Sequence, residues 1–250
     1  MFLEKWYGDF VSNGRAQIWY LANLHFGPLT LGYQGNLGAG RASKTVLDFR
    51  GFEMPTVRGE SLYWPASIDQ TEIIWKGVCR RPQWLWQQGK QAVLWEPVVL
   101  NGEMSIAQEQ QEVRGYAERL TLNFMPWRLG LKTLKWGRFC GREHSLVWIE
   151  WCGRIQKKLA LLDGHATAWL TVDERAVRTE QACLLIETPH QIVSEPLGVG
   201  ALHPFGWLRV FEIAQFLSGV ETKWFAEGIL ELDGAEVEQG SVLYEEVIWP

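Results

Sequence analysis

The sequence predicts an all-β protein made of two β-barrel domains related by internal duplication, with one short helix. Three observations lead there. Short apolar segments with period-two alternation recur along the chain, separated by Gly, Pro, Asn and Asp. One stretch alone, Trp207–Leu217, has helical spacing of its apolar residues, with Gly219 as a cap. The chain also repeats its own landmarks about half a length later.

The repeat is colinear. Lys5-Trp6-Tyr7-Gly8-Asp9-Phe10 returns, one residue shorter, as Lys135-Trp136-Gly137-Arg138-Phe139. Ile18-Trp19-Tyr20 returns as Val147-Trp148-Ile149, Leu100-Asn101-Gly102 as Leu232-Asp233-Gly234, and Tyr116-Ala117-Glu118 as Tyr244-Glu245-Glu246. Such a period is too long for a solenoid, so each copy is a small domain. The expected domains are 1–128 and 133–250. Trp6 should superpose on Trp136, and Trp19 on Trp148.

Within the first copy, strands are expected at 15–24 and 28–34, joined by a turn at Phe26-Gly27-Pro28. Gly35–Gly40 reads as a structural loop. Further strands are expected at 44–50, 60–64, 71–79, 91–99 and 103–108. Two β-like segments, Val113–Leu120 and Ser145–Trp151, flank a connector at Thr121–Leu134. The second copy should carry strands near 144–152, 155–162, 166–173, 182–187, 227–232 and 241–248.

Composition removes several function classes. The net charge of −5 gives a nucleic-acid partner no electrostatic support. No apolar run is long enough to span a bilayer. The N-terminus lacks the order of an export signal, and Cys79, Cys140, Cys152 and Cys183 show no Cys-x-x-Cys spacing. A cytoplasmic protein with reduced thiols is expected. The five histidines are scattered, Gly-Asn-Leu-Gly-Ala-Gly lacks dinucleotide-binding spacing, and there is no Gly-x-Ser-x-Gly elbow. No metal and no cofactor are expected. The 15 tryptophans are the outlier. They imply either two aromatic cores or an indole-lined pocket for an apolar small molecule.

Alternation on a strand puts Tyr116 and Glu118 on one face, and Leu146, Trp148 and Glu150 on one face. A carboxyl held among aromatic rings can protonate an alkene or a carbonyl. The competing reading of Glu150 is that it faces water or pairs with an arginine. For Glu118, recurrence of its motif in both copies would point to barrel architecture. Glu150 falls opposite Leu21, and Arg138 opposite Asp9, so both break the repeat.

Gly115-Tyr116-Ala117-Glu118, followed by Phe124-Met125-Pro126-Trp127, resembles the pattern of the tocopherol cyclase and carotenoid 1,2-hydratase (hydroxyneurosporene synthase) superfamily. The opening Lys5-Trp6-Tyr7 is similar to that group's early Trp-Tyr element. The resemblance implies two tandem lipocalin-like β-domains. It implies a cofactor-independent cyclase, hydratase or isomerase acting on an isoprenoid, polyene or polyketide-like molecule. Where the tocopherol cyclase pattern continues Asn-Trp-Gly, this chain has Arg119-Leu120-Thr121. The expected acids are Glu118 and Glu150. Tyr116, Trp127, Trp136, Arg138, Trp148 and Trp19 are expected to shape the binding site. The alternative is a non-catalytic lipocalin-like carrier.

Overall fold

A computed structural model describes residues 1–12, 14–38, 44–65, 72–106, 109–199, 211–232 and 237–250. The chain divides into two compact units, Met1–Arg128 and Leu129–Pro250.

Unit 1 is one curled antiparallel sheet. Its strands are β1 (Phe2–Ser12), β2 (Arg15–Phe26), β3 (Leu29–Gly38), β4 (Lys44–Asp48), β5 (Thr56–Arg58), β6 (Ser61–Trp64), β7 (Ile73–Lys76), β8 (Gln83–Gln88), β9 (Gln91–Ile106) and β10 (Glu109–Leu122). They run in the order β4-β3-β2-β1-β10-β9-β7-β6-β5, with β8 also on β9. Unit 2 repeats that plan with β11 (Leu131–Cys140), β12 (Ser145–Gly153), β13 (Lys157–Leu162), β14 (His165–Thr167), β15 (Trp169–Val172), β16 (Ala176–Thr179), β17 (Ala182–Pro196), β18 (Val220–Leu232) and β19 (Val237–Ile248). Their order is β14-β13-β12-β11-β19-β18-β17-β16-β15. In each unit the first strand pairs with both the second and the last, which curls the sheet toward a barrel.

The inner face of unit 1 is an aromatic core of Trp6, Trp19, Leu21, Leu62, Trp64, Ile73, Trp75, Val99 and Met104. Gly8 leaves room for it: a Cβ there would lie 3.0 Å from Trp75 and 3.2 Å from Trp64. The inner face of unit 2 is built from Phe139, Leu146, Trp148, Ala160, Val177, Leu184, Leu230 and Val242. There Gly137 accepts the indole of Trp148.

The registers fix how the copies correspond. Gly8 faces Trp19 across β1–β2, and Gly137 faces Trp148 across β11–β12. Trp19 and Trp148 are therefore equivalent. Trp6 and Trp136 are not, because Trp6 belongs to the inner core while Trp136 lies one rung away on the outer face and matches Tyr7. The ladder does place Glu150 opposite Leu21 and Arg138 opposite Asp9. It separates Tyr116-Ala117-Glu118 from Tyr244-Glu245-Glu246, because Gly8 pairs with Ala117 whereas Gly137 pairs with Tyr244. Glu118 thus corresponds to Glu245. Asp233-Gly234, the expected echo of Asn101-Gly102, lie outside the described residues.

Several elements differ from expectation. β1 is a strand that the sequence reading leaves out. The connector is shorter than Thr121–Leu134: β10 continues to Leu122, a 3₁₀ turn spans Pro126–Leu129, and β11 begins at Leu131. Gly35 through Gly38 belong to β3 rather than to a loop, and Ala39 and Gly40 lie outside the described residues. β9 runs unbroken where two strands are expected. The helix, α1, covers Phe211–Leu217, and Trp207–Val210 lie outside the described residues.

Candidate active site

Tyr116 and Glu118 share the outer face of β10, the face opposite the tryptophan core. Tyr116 is fully buried and Glu118 half-buried. The Tyr116 hydroxyl donates to Glu118 Oε2 at 2.6 Å, and the indole N–H of Trp95, on β9, donates to the same oxygen at 2.5 Å. Tyr7 lies opposite Glu118 in the β1–β10 ladder. Its ring is 6.2 Å from Tyr116 and 5.5 Å from Tyr20. One carboxyl is therefore set among three phenols and an indole, oriented by two neutral donors.

The matching position in unit 2 carries different chemistry. Glu245 is ion-paired with Lys223, which is itself buried and also bonds Glu221 at 2.9 Å. A carboxylate neutralised by an ammonium is a structural element. Lys223 stands across from Glu245 in the β18–β19 ladder, and Pro97 stands across from Glu118 in the β9–β10 ladder.

On the inner face of β9, Glu96 is buried between two arginines. Arg80 Nε lies 2.7 Å from Oε1 and Arg119 Nη2 lies 2.6 Å from Oε2. Arg119 also covers the Trp6 ring at 5.7 Å, and Trp6 donates its indole N–H to Glu4 at 2.9 Å. The carboxylate of Glu96 raises the Arg80 guanidinium above its ordinary range, through its hydrogen bond first and its charge second. Sequence reasoning does not single out Glu96, since its partners lie 16 and 23 residues away along the chain. The departure Arg119-Leu120-Thr121 is its only signal.

In unit 2, Glu150 shares the inner face with Trp148, as alternation requires. It is buried and pairs with Lys158 at 2.8 Å, a lysine rather than an arginine. The cross-strand row continues through Lys135 to Glu246, 3.7 Å apart. Further along the same face, Trp224 stacks on Tyr244 at 5.0 Å. Burial pushes the Tyr244 phenol up to about 12, and the negative charge of Glu174 adds to the shift. Trp136 and Arg138 lie on the opposite, outer face, where Arg138 Nη1 donates to the Ser241 carbonyl and hydroxyl at 2.9 Å. Trp127 is half-buried in the 3₁₀ turn, and Trp19 is part of the unit 1 core.

The structure therefore brings Tyr116 and Glu118 together with Trp95 and Tyr7. It places Glu150 with Trp148 on the inner face of the other unit. Trp19 lies on the face opposite Glu118, and Trp136 and Arg138 lie on the face opposite Glu150. A cleft of about 230 Å³ beside Arg178, Glu180, Cys183 and Glu231 contains none of the expected site residues. Among the described residues, no group of three or more His, Cys, Asp and Glu side chains is arranged to hold a metal ion. No helix among them is long and apolar enough to cross a membrane.

No protein-family model and no curated protein sequence matches the chain. Solved structures do match it. CghA with Sch210972 aligns with a TM-score of 0.54 at 10% identity, over 99% of this chain and 88% of that chain. Kievitone hydratase from Nectria haematococca aligns with a TM-score of 0.50 at 10% identity, over 98% and 88%. An AttH protein from Nitrosomonas europaea aligns with a TM-score of 0.54 at 12% identity, over 97% and 92%. The chain has the tandem lipocalin-like fold. The alignments run across both units. At these identities the likeness is one of fold, and the chemistry rests on the site.

Proposed function

We propose that this protein is a cofactor-independent cyclase, hydratase or isomerase that acts on an apolar isoprenoid, polyene or polyketide-like molecule, with Glu118 as the proton-transfer group. One observation carries the reading. Glu118 Oε2 accepts from the Tyr116 hydroxyl and the Trp95 indole, whereas its counterpart Glu245 is ion-paired with Lys223. Divergence at one rung of a duplicated scaffold, toward a group able to move a proton, supports chemistry there. The names of two structural neighbours, kievitone hydratase and CghA crystallised with Sch210972, are compatible with such chemistry.

The proposed step is general acid catalysis. The Glu118 carboxyl gives its proton to an alkene or carbonyl of the substrate, leaving a carboxylate. Hydrogen bonds from Tyr116 and Trp95 stabilise that carboxylate. The π faces of Tyr7 and Tyr116 stabilise positive charge developing on the substrate. Capture of the cation by water gives a hydrated product, capture by an internal nucleophile gives a ring, and loss of a proton gives an isomer. In each case the last proton returns to Glu118. Glu150 is the weaker candidate because Lys158 already holds its carboxylate.

A carrier that stores its ligand inside the unit 1 barrel is disfavoured, because Trp64 and Trp75 close on Gly8 and fill that interior. The test compares apolar compounds extracted from purified wild type and Glu118→Gln. A turned-over substrate predicts a precursor on the variant and a product on the wild type, either isomeric with it or heavier by one water. The same compound on both proteins would favour the carrier.

A further inference from the structure

The outer face that carries Glu118 ends in an exposed apolar lip. Register puts Leu3, Leu24 and Leu31 in one cross-strand row on that face. The β2–β3 hairpin extends the row by one rung with Phe26 and Leu29, and the chain turns after β4 at Phe49. Phe49 is 83% exposed, Leu29 71% and Phe26 39%. Phe26 and Leu29 face each other across the hairpin, and Phe49 follows Asp48, the partner of Gly32 on β3; large apolar side chains exposed on neighbouring strand ends mark a contact surface. The two-residue turn Gly27-Pro28, with Gly27 at φ +56°, projects Phe26 and Leu29 at a tip. Two cations border the lip. Lys5 sits over the Tyr20 ring at 5.1 Å, and Arg50 is exposed beside Phe49. Glu4 lies on the inner-face register, and Asp48 accepts the Arg50 backbone N–H at 2.6 Å.

We propose that this lip docks on the surface of a bilayer containing anionic lipid, with Phe26, Leu29 and Phe49 in the headgroup–acyl boundary and Lys5 and Arg50 against the headgroups. Size and charge decide between a membrane and a second copy of the chain. The three exposed side chains offer roughly 300–400 Å², taking about 150–250 Å² for a large side chain. A stable protein interface needs about 800 Å² per partner. A shallow apolar tip flanked by cations suits the bilayer interface, where tip insertion and headgroup attraction add. The lip is also continuous with the site. Leu3 and Tyr7 are on the same strand and face, about 13 Å apart at ~3.3 Å per residue. An apolar ligand leaving a membrane at the lip would pass Lys5 and Tyr20 before reaching Glu118. That delivery role rests on the function proposed above; docking itself rests on the lip alone.

The test is cosedimentation with vesicles of phosphatidylcholine, with and without phosphatidylserine. Wild type should bind the anionic vesicles, less so at high salt, and Leu29→Glu or Phe49→Glu should cut partitioning on the order of tenfold. Arg50→Glu should remove the preference for phosphatidylserine while keeping residual binding. These positions are exposed, so circular dichroism and the thermal midpoint should stay at wild-type values. Glu118→Gln should bind vesicles like wild type whatever its turnover, which separates docking from the acid. The proposal is overturned if wild type ignores both vesicle types or if the variants bind as well as wild type. It is equally overturned if wild type forms a dimer that Leu29→Glu abolishes without any vesicle binding, since that assigns the lip to a second copy.

Discussion

Replacing Gly137 by alanine should destabilise unit 2, while the same change at the equivalent Gly8 should leave unit 1 nearly unaffected. A Cβ on Gly137 would overlap Trp148 Cζ2 and would lie 2.6 Å from Cε2 and 2.7 Å from the Tyr244 Cβ. Trp148 is fully buried against Phe139, Leu146 and Ala160, and the Tyr244 Cβ is fixed by its backbone, so neither can step aside. Overpacking of this kind costs about 1–3 kcal/mol, and Gly→Ala in a strand returns about 0.5–1 kcal/mol through the unfolded chain. A clash this deep falls at the upper end, so the net loss is about 2 kcal/mol, or a midpoint lower by about 6–12 °C for a unit of this size. At Gly8 the nearest contact is 3.0 Å, to Trp75 Cη2 at the far edge of its ring, so clash and entropy gain should roughly cancel. Urea and thermal melts followed by tryptophan emission measure both variants. Trp148→Phe in the Gly137→Ala background should recover part of the loss. Equal shifts for Gly8→Ala and Gly137→Ala, or none for Gly137→Ala, would refute the packing argument.

Three further outcomes are expected. Tyr244 should titrate near 12 by absorbance of the phenolate, and Tyr244→Phe should delete that step. Because its folded value is raised above the ordinary 10, the stability it contributes is complete below about 10 and is lost as pH rises through about 12. Glu96→Ala should cost unit 1 about 1–3 kcal/mol in urea melts; the full penalty of about 3–5 kcal/mol for breaking a buried pair is reduced because Arg80 is half-exposed. Tyr116→Phe removes one of two donors to Glu118 Oε2, and should lower turnover about tenfold while leaving Trp95 in place. Full activity in that variant would show that the phenol does not orient the acid.

The fold is legible wherever one strand face is apolar and the other is not. Trp19 and Trp148 stand out because each copy needs a large ring over a glycine on the neighbouring strand. β1 escapes because Trp6, Tyr7, Gly8 and Asp9 are all buried, which erases the two-residue alternation. Asn101-Gly102 lies in the gap between the strands expected at 91–99 and 103–108. In β9 it falls in an irregular stretch of the ladder, where a Cβ on Gly102 would strike the Lys76 carbonyl. The pairing of Tyr116 with Glu118 follows directly from strand parity. Its difference from Tyr244 and Glu246 does not, since a one-residue shift in register moves a matching motif to the opposite face. Trp95 cannot be linked to Glu118 from sequence, because their contact depends on the bulges between β9 and β10.

The proposed chemistry requires the Glu118 carboxyl to move a proton. The direct measurement is turnover of a polyene or prenylated aromatic substrate by Glu118→Gln, beside Glu150→Gln and wild type. Gln keeps the size of the side chain and an acceptor for Tyr116 and Trp95 but cannot donate a carboxyl proton. Turnover by Glu118→Gln should fall about 10²–10⁴-fold with an unchanged thermal midpoint, while Glu150→Gln should stay near wild type. Wild-type turnover in Glu118→Gln would contradict the account.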